Sequence, residues 1–272
     1  MSFSRMLALA TVTTGALAQL KSCSNNGTLS CHSSSKAPTC CYNYPGGALL
    51  QTQFWDTDPT TGPSDSWTIH GLWPDNCDGT YQASCDSSRA YTNISDILTA
   101  QDRTDLLSYM QTYWVSDDGS DEAFWEHEWS KHGTCINTIK PSCYTNYSPQ
   151  EEVGDYFQKV VDLFKSLDTY KVSLPLPIPY SSSAIMTITG VVRGGYHPSD
   201  SKTYELSDIQ AALSKLHGGS KPYVGCEDGA LSQMYYFFNV AGNAIDGQYQ
   251  PTAPLESSNC PSSGVKYLPK SN

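Results

Sequence analysis

Ten cysteines constrain this chain more than any other feature. Cys23, Cys31, Cys40, Cys41, Cys77, Cys85, Cys135, Cys143, Cys226 and Cys260 all lie beyond residue 18, and the even count leaves no odd thiol. Ahead of them, MSFSRMLALATVTTGALA carries one basic residue, Arg5, an apolar or small run to Leu17, and a small-x-small site at Ala16-Leu17-Ala18. That is the pattern of a cleaved export signal, and it is too short to span a bilayer as a helix. An even cysteine count in an exported chain predicts disulfides. With no Cys-x-x-Cys present, a zinc ribbon or thioredoxin-type site is not expected. Residues 1–18 are thus expected to be removed, leaving a domain over 19–272. Three sequons, at Asn26, Asn93 and Asn146, are candidate glycan sites on exposed loops.

Cysteine density stays far below that of a scaffold held by disulfides alone, roughly 8–10%. With 39% hydrophobic and 11% aromatic residues, the bridges must staple a chain that also buries a core. The 16 Lys+Arg stand against 27 Asp+Glu, a formal charge of −11. Such a balance argues against general duplex-DNA or membrane-surface binding, which needs a basic field. It leaves room for a protein that grips one phosphate locally.

Periodicity marks the elements. Ala48 to Trp55 alternates Leu50, Thr52 and Phe54 against Gln51, Gln53 and Trp55, as a strand does. Trp67 to Trp73 reads as a second strand, with Thr68, His70 and Leu72 expected on one face. Further strands are expected over 184–193 and 233–240. Helices are expected over 102–114, over 123–133, from Pro149 to about Asp168 with Ser148 as cap, and from Ser207 onward. Regular βαβ alternation is missing, so the expected fold is α+β: one domain, a central antiparallel sheet with several packed helices, stapled by disulfides.

Two segments hold unusual residues: Trp67-Thr-Ile-His-Gly-Leu-Trp-Pro-Asp-Asn-Cys77, and Phe124-Trp-Glu-His-Glu-Trp-Ser-Lys-His-Gly-Thr-Cys135. On a helix, Phe124, His127, Glu128, Lys131 and His132 fall within an arc of about 140°. One face therefore gathers two imidazoles, a carboxylate, an ammonium and a phenyl ring, a poor composition for a core. A solvated face laced with i,i+4 pairs is the plain alternative. The second histidine-bearing aromatic segment tips the balance toward chemistry. Two imidazoles can serve as base and acid, Lys131 and His127 can neutralise an anion, and Glu128 can orient an imidazole or protonate an oxygen. An anion flanked by two imidazoles suggests phosphoryl transfer without metal. His127-Glu128-x-x-x-His132 has a spacing of five, so the two rings are expected to diverge rather than share a zinc ion. No Gly-x-Ser-x-Gly elbow occurs. His32, His197 and His217 are read as structural or surface residues.

At these two segments the chain resembles the ribonuclease T2 family, in its fungal branch, over essentially residues 22–268. The resemblance implies a metal-independent endoribonuclease, without cofactor, that cleaves single-stranded RNA with low base specificity through 2′,3′-cyclic phosphates to 3′-phosphates at acid pH. It implies that His132 takes the 2′-OH proton and His70 protonates the leaving 5′-oxygen. Glu128 and Lys131 would stabilise the transition state, and His127 would help bind phosphate. It implies a first base pocket at Trp73, Asp75 and Tyr81, suited to adenine, and a second at Gln53, Ser116 and Phe124. Asp117 and Asp118 depart from the pattern, since fungal relatives commonly carry amides there. It further implies the pairs Cys23–Cys41, Cys31–Cys77, Cys40–Cys143, Cys85–Cys135 and Cys226–Cys260. A secreted monomer is expected, with an acidic vacuole as the alternative compartment and neither DNA nor membrane as partner. An exported binding protein without catalysis is the rival class; the complete catalytic set argues against it.

Overall fold

A computed structural model describes residues 19–23, 27–32, 37–172 and 197–271. The expected signal segment, Asn26 and the expected strand over 184–193 lie outside the described residues. In chain order the elements are β1 (Gln19–Leu20), β2 (Ala48–Phe54), β3 (Thr68–Asp75), α1 (Ile94–Ala100), α2 (Thr104–Tyr113), α3 (Asp121–Lys131), β4 (Tyr144–Thr145), α4 (Glu151–Ser166), β5 (Thr203–Tyr204), α5 (Leu206–Ser214), β6 (Tyr223–Glu227), β7 (Ala230–Ala241), β8 (Gln248–Thr252) and β9 (Val265–Lys266). Among the described residues no helix is long and apolar enough to cross a membrane.

The long strand β7 organises the main sheet. One edge pairs with β2, and the opposite edge is shared by β6 and β8, each antiparallel. β3 extends the sheet beyond β2 and ends the strand order. The pairing of β7 with β9 is parallel, at Ala230 and Lys266. Long antiparallel pairings and α-helices in one unit make this the α+β architecture expected from the sequence.

Alternation assigns the two faces. Leu49 of β2, Leu72 of β3, and Tyr236, Phe238 and Val240 of β7 enter the main core. There they meet Val153, Tyr156, Phe157, Val160, Val161 and Phe164, the apolar stripe of α4, all buried. Ala48, Leu50 and Phe237 point the other way and form a second, smaller cluster with Tyr223, against which Trp73 and Tyr235 pack.

The helices expected over 102–114 and 123–133 run over Thr104–Tyr113 and Asp121–Lys131, and the other two expected helix starts also differ. α4 begins at Glu151, not Pro149, because Gln150 takes a left-handed backbone (φ 67°) that a continuous helix cannot pass through. Only the carboxylate half of the expected capping box forms, with Ser148 N donating to Glu151 Oε2 at 3.2 Å. At α5 the N-cap is Glu205, so Ser207 lies inside the helix and caps nothing. The short helix α1 carries no strong periodicity and is found only in the structure.

Five disulfides join Cys23 to Cys41, Cys31 to Cys77, Cys40 to Cys143, Cys85 to Cys135, and Cys226 to Cys260. The fourth fixes the turn that follows α3. It acts with Ser84 N donating to Lys131 O at 3.0 Å, Arg89 Nη2 to Thr134 O at 2.7 Å, and Trp129 Nε1 to Arg89 O at 2.6 Å. Of the sequons inside the described residues, Asn93 and Asn146 are both exposed.

The Cys85–Cys135 bridge closes a loop of sequence separation 50. The double variant Cys85→Ser/Cys135→Ser is expected to lose about 2–4 kcal/mol of stability, measured by urea unfolding at constant pH.

Candidate active site

The site begins with an irregularity in β3. The β2–β3 register pairs Thr52 with Gly71 and Gln53 with Ile69, so His70 is an extra residue without a partner across the ladder. Such a bulge re-aims a side chain. His70 consequently turns away from Leu72, which is in the core, and meets Trp73, with ring centroids 4.8 Å apart at 85°. The expectation that His70 and Leu72 share a face fails for this reason. Phe54 and Phe124 close around the His70 ring at 3.9 and 5.3 Å.

α3 supplies the opposing wall. Ser120 caps it, its hydroxyl accepting from Ala123 N, and Trp125 and Trp129 anchor it in the core. Glu128 projects toward β3 and is fully buried. Its Oε2 accepts from Trp73 Nε1 at 2.8 Å, and its Oε1 lies 3.3 Å from His70 Nε2, a charge contact not aligned as a hydrogen bond. A Cβ on Gly71 would come within 2.0 Å of Glu128 Oε2, so glycine is what lets the carboxylate reach the strand.

His132 completes the group from the C-cap of α3, where its backbone N–H still bonds Glu128 O at 3.1 Å. The ring is almost buried and stacks on Trp73, centroids 4.8 Å apart at 15°. Trp73 thus touches all three groups. Among the described residues, His70 Nδ1 and His132 Nε2 are buried polar atoms without hydrogen-bond partners.

Electrostatics separate the roles. Burial holds His132 down at about 4, and the positive charges of Lys131, His70 and His127 outweigh part of the opposing pull of Glu128. His132 is therefore a neutral base at mildly acid pH. Burial alone would raise Glu128, but His70, His132 and the Trp73 indole N–H together take it below its ordinary value. It stays a carboxylate.

Two clefts flank these groups. The first, of about 350 Å³, is lined by Trp73, Asp75, Tyr81, Lys131, His132, Tyr235, Phe237, Leu255 and Glu256. The second, of about 390 Å³, is lined by Phe54, Asp56, His70, Ser116, Asp117, Asp118, Phe124 and His127. Burial raises Asp75 to about 7 and Asp56 to about 6; Lys270 partly offsets the latter.

Ten of the eleven expected site residues line these clefts or join them. Gln53 does not. It is fully buried beneath the sheet, where Nε2 donates to Gln51 Oε1 at 2.8 Å and to Leu167 O at 3.1 Å, and Oε1 accepts from Thr169 Oγ1 at 2.6 Å. Its alternation with Phe54 already carried that information: Phe54, on the other face, lines the cleft. Tyr235, Phe237, Leu255, Glu256 and Asp56 also line the clefts without having been singled out, since no local motif links them to the histidine segments.

The expected divergence of His127 and His132 is also corrected. One ligand atom each from His127, Glu128 and His132 lie within 4.8 Å of one another. The angle around the helix axis places only the Cβ atoms; the long side chains span the rest, and the rings of His127 and His132 come to centroids 6.5 Å apart. The donor set fits a cation poorly, because Glu128 is already held by Trp73 and His70 and Lys131 is adjacent.

Known proteins share this arrangement of sequence and fold. The model of the Ribonuclease T2 family matches residues 46–178. Ribonuclease M of Aspergillus phoenicis is 60% identical over 255 residues, covering 93% of this chain and 99% of that protein. Ribonuclease T2 of Aspergillus oryzae is 57% identical over 257 residues, covering 94% and 87%. The crystal structure of Actibind, described as a T2 ribonuclease and antitumorigenic agent, superposes with a TM-score of 0.84 at 58% identity, covering 93% of this chain and all of that one.

The buried contact at Gly71 yields a test. Gly71→Ala is expected to displace the Glu128 carboxylate and lower turnover about 10²-fold, with the far-UV circular dichroism spectrum retained.

Proposed function

The chain belongs to the ribonuclease T2 family, and from that premise we propose that it is an endoribonuclease cleaving single-stranded RNA by transphosphorylation. The observation that carries the reading is the gap between two clefts, where His132 faces one side and His70 the other, with Glu128 between them. A phosphodiester placed there has a base in each cleft.

His132, neutral above about pH 4, takes the proton of the ribose 2′-OH. The 2′-oxygen attacks phosphorus, the bond from phosphorus to the 5′-oxygen breaks, and His70 gives its proton to that oxygen. A 2′,3′-cyclic phosphate remains. With the two histidines in exchanged roles, water opens it to a 3′-phosphate. Lys131 and His127 stabilise charge on the phosphoryl oxygens, and Glu128 holds the His70 ring in place. The nucleotide bearing the attacking hydroxyl lies beside His132, so the cleft of Trp73, Asp75 and Tyr81 takes the 5′ base. The cleft of Ser116 and Phe124 takes the 3′ base.

Residues 1–18 act as an export signal in this reading, residues 19–272 form the catalytic domain, and the monomer works outside the cell, glycosylated on its exposed sequons. The even cysteine count and the apolar leader support that assignment. A metal-assisted hydrolase is the second reading, favoured by the convergence of His127, Glu128 and His132.

His70→Ala and His132→Ala are each expected to lower cleavage of single-stranded RNA by about 10³-fold or more with the fold intact. Chelation with EDTA is expected to change nothing; loss of activity restored by zinc would establish the second reading. The rate is expected to peak on the acid side of neutrality. Its acid limb should lie near pH 4, where His132 gains a proton and ceases to be a base. Lys131→Gln removes a positive charge that depresses His132, so that limb should move to higher pH, whatever the loss in turnover.

A further inference from the structure

Residues 55–67 join β2 to β3, a far longer connection than the roughly two to five residues of an ordinary hairpin loop. The loop supplies Asp56 to the cleft beside His70, two residues after Phe54, which ends β2 and lines the same cleft. Its middle lies against Val115, also of that cleft, since a Cβ on Gly62 would stand 3.4 Å from Val115 Cγ2. Segment 267–271 straps this loop down. Trp55 Nε1 donates to Leu268 O at 2.8 Å, Trp67 Nε1 to the Tyr267 hydroxyl at 2.9 Å, and Thr60 Oγ1 to Ser271 O at 2.7 Å.

Lys270 is the buried part of the strap, only 5% exposed. Its Nζ donates to Thr61 O at 2.6 Å and to Ser66 O at 3.0 Å, and lies 4.5 Å from the centre of the Trp55 ring. Among the described residues it forms no salt bridge. Two carbonyls and an aromatic face therefore offset the cost of burying the charge. A hydrocarbon side chain of that length would fill the space without that cost. What the ammonium adds is a tie between two points of the loop.

We propose that Lys270 is a positioning residue for the cleft beside His70, holding loop 55–67 in the shape that receives the nucleotide on the 3′ side of the cut. The inference rests on the reading of that cleft as the 3′ base site. Lys270 lines neither cleft. It acts through Thr61 and Ser66, and through Trp55, whose two chain neighbours both line the cleft.

The two steps of the reaction separate this role from general stability. Cleavage of a dinucleoside monophosphate uses both clefts. Hydrolysis of a 2′,3′-cyclic phosphate uses the same histidines and the cleft beside His132, with water in place of the 3′ nucleoside. A displaced loop weakens the first step and spares the second. Loss of folded protein, or disturbance of His70, lowers both alike.

The test measures kcat and KM for the dinucleoside monophosphate ApU and for adenosine 2′,3′-cyclic phosphate. The variant is Lys270→Met, which keeps the side chain's bulk and removes its donors. For ApU, KM should rise about tenfold or more with kcat changed less, while hydrolysis of the cyclic phosphate stays within about twofold of the wild type. If near-UV circular dichroism shows Lys270→Met unfolded, Thr60→Val, which removes an exposed bond of the strap, replaces it, with an expected rise in KM of about twofold or more. An equal loss on both substrates in the folded variant, or an unchanged KM for ApU, overturns the positioning role and leaves the ribonuclease reading standing. A wild type that turns over neither substrate overturns that reading itself.

Discussion

A carboxylate without solvent exposure is the constraint on which the rest of this site depends. Removing Glu128 from water is costly unless its oxygens are satisfied and a positive partner is near. The indole N–H of Trp73, the His70 ring 3.3 Å away and the Gly71 backbone, which leaves room, together meet that demand. Each of the three comes from one strand, and Glu128 from one helix. The active site is therefore as rigid as the contact between β3 and α3. This explains why the turn after α3 is tied down by a disulfide and by the bonds of Arg89, Ser84 and Trp129.

Much of this is legible in the sequence, and what is not has physical causes. The α3 face was legible because 100° per residue holds wherever the helix is regular. It placed His132 on the shared face and erred only in expecting its ring to diverge from that of His127, since side-chain reach is not given by the angle around the axis. The strand around His70 was legible from its aromatic and β-branched residues, but its facing was not, because a one-residue register shift leaves no mark on local alternation. Gln53 shows the opposite case. The alternation of β2 put it on the face opposite Phe54, and a resemblance to known relatives placed it in the cleft; the local pattern was the better guide. Leu255 and Glu256 line the same cleft as Asp75 from a distant part of the chain, which only tertiary structure can bring together.

The acidity of the chain looks ill-suited to a polyanionic substrate until the clefts are considered separately from the whole. Each half holds one carboxyl that burial raises, Asp75 to about 7 and Asp56 to about 6. At mildly acid pH both are largely neutral, while His132 remains unprotonated and able to act as a base. The same desolvation, with opposite consequences for an acid and for an imidazole, thus removes one negative charge from each cleft and leaves His132 neutral, while Glu256 in one cleft and Asp117 and Asp118 in the other remain. Most of the 27 Asp and Glu behind the formal charge of −11 lie outside the two clefts, where they are a matter of solubility more than of catalysis.

The extra residue in β3 has a consequence for how such an enzyme can arise and be lost. His70 is aimed by the length of the chain on one side of a hairpin, not by the identity of its neighbours. Exchanging side chains can weaken or abolish the imidazole, but cannot turn a regular ladder into this one or back. Only gain or loss of a codon does that. A one-residue deletion there would restore a regular ladder and turn the side chains on one side of it to the opposite face, re-aiming the histidine together with its core-facing neighbours.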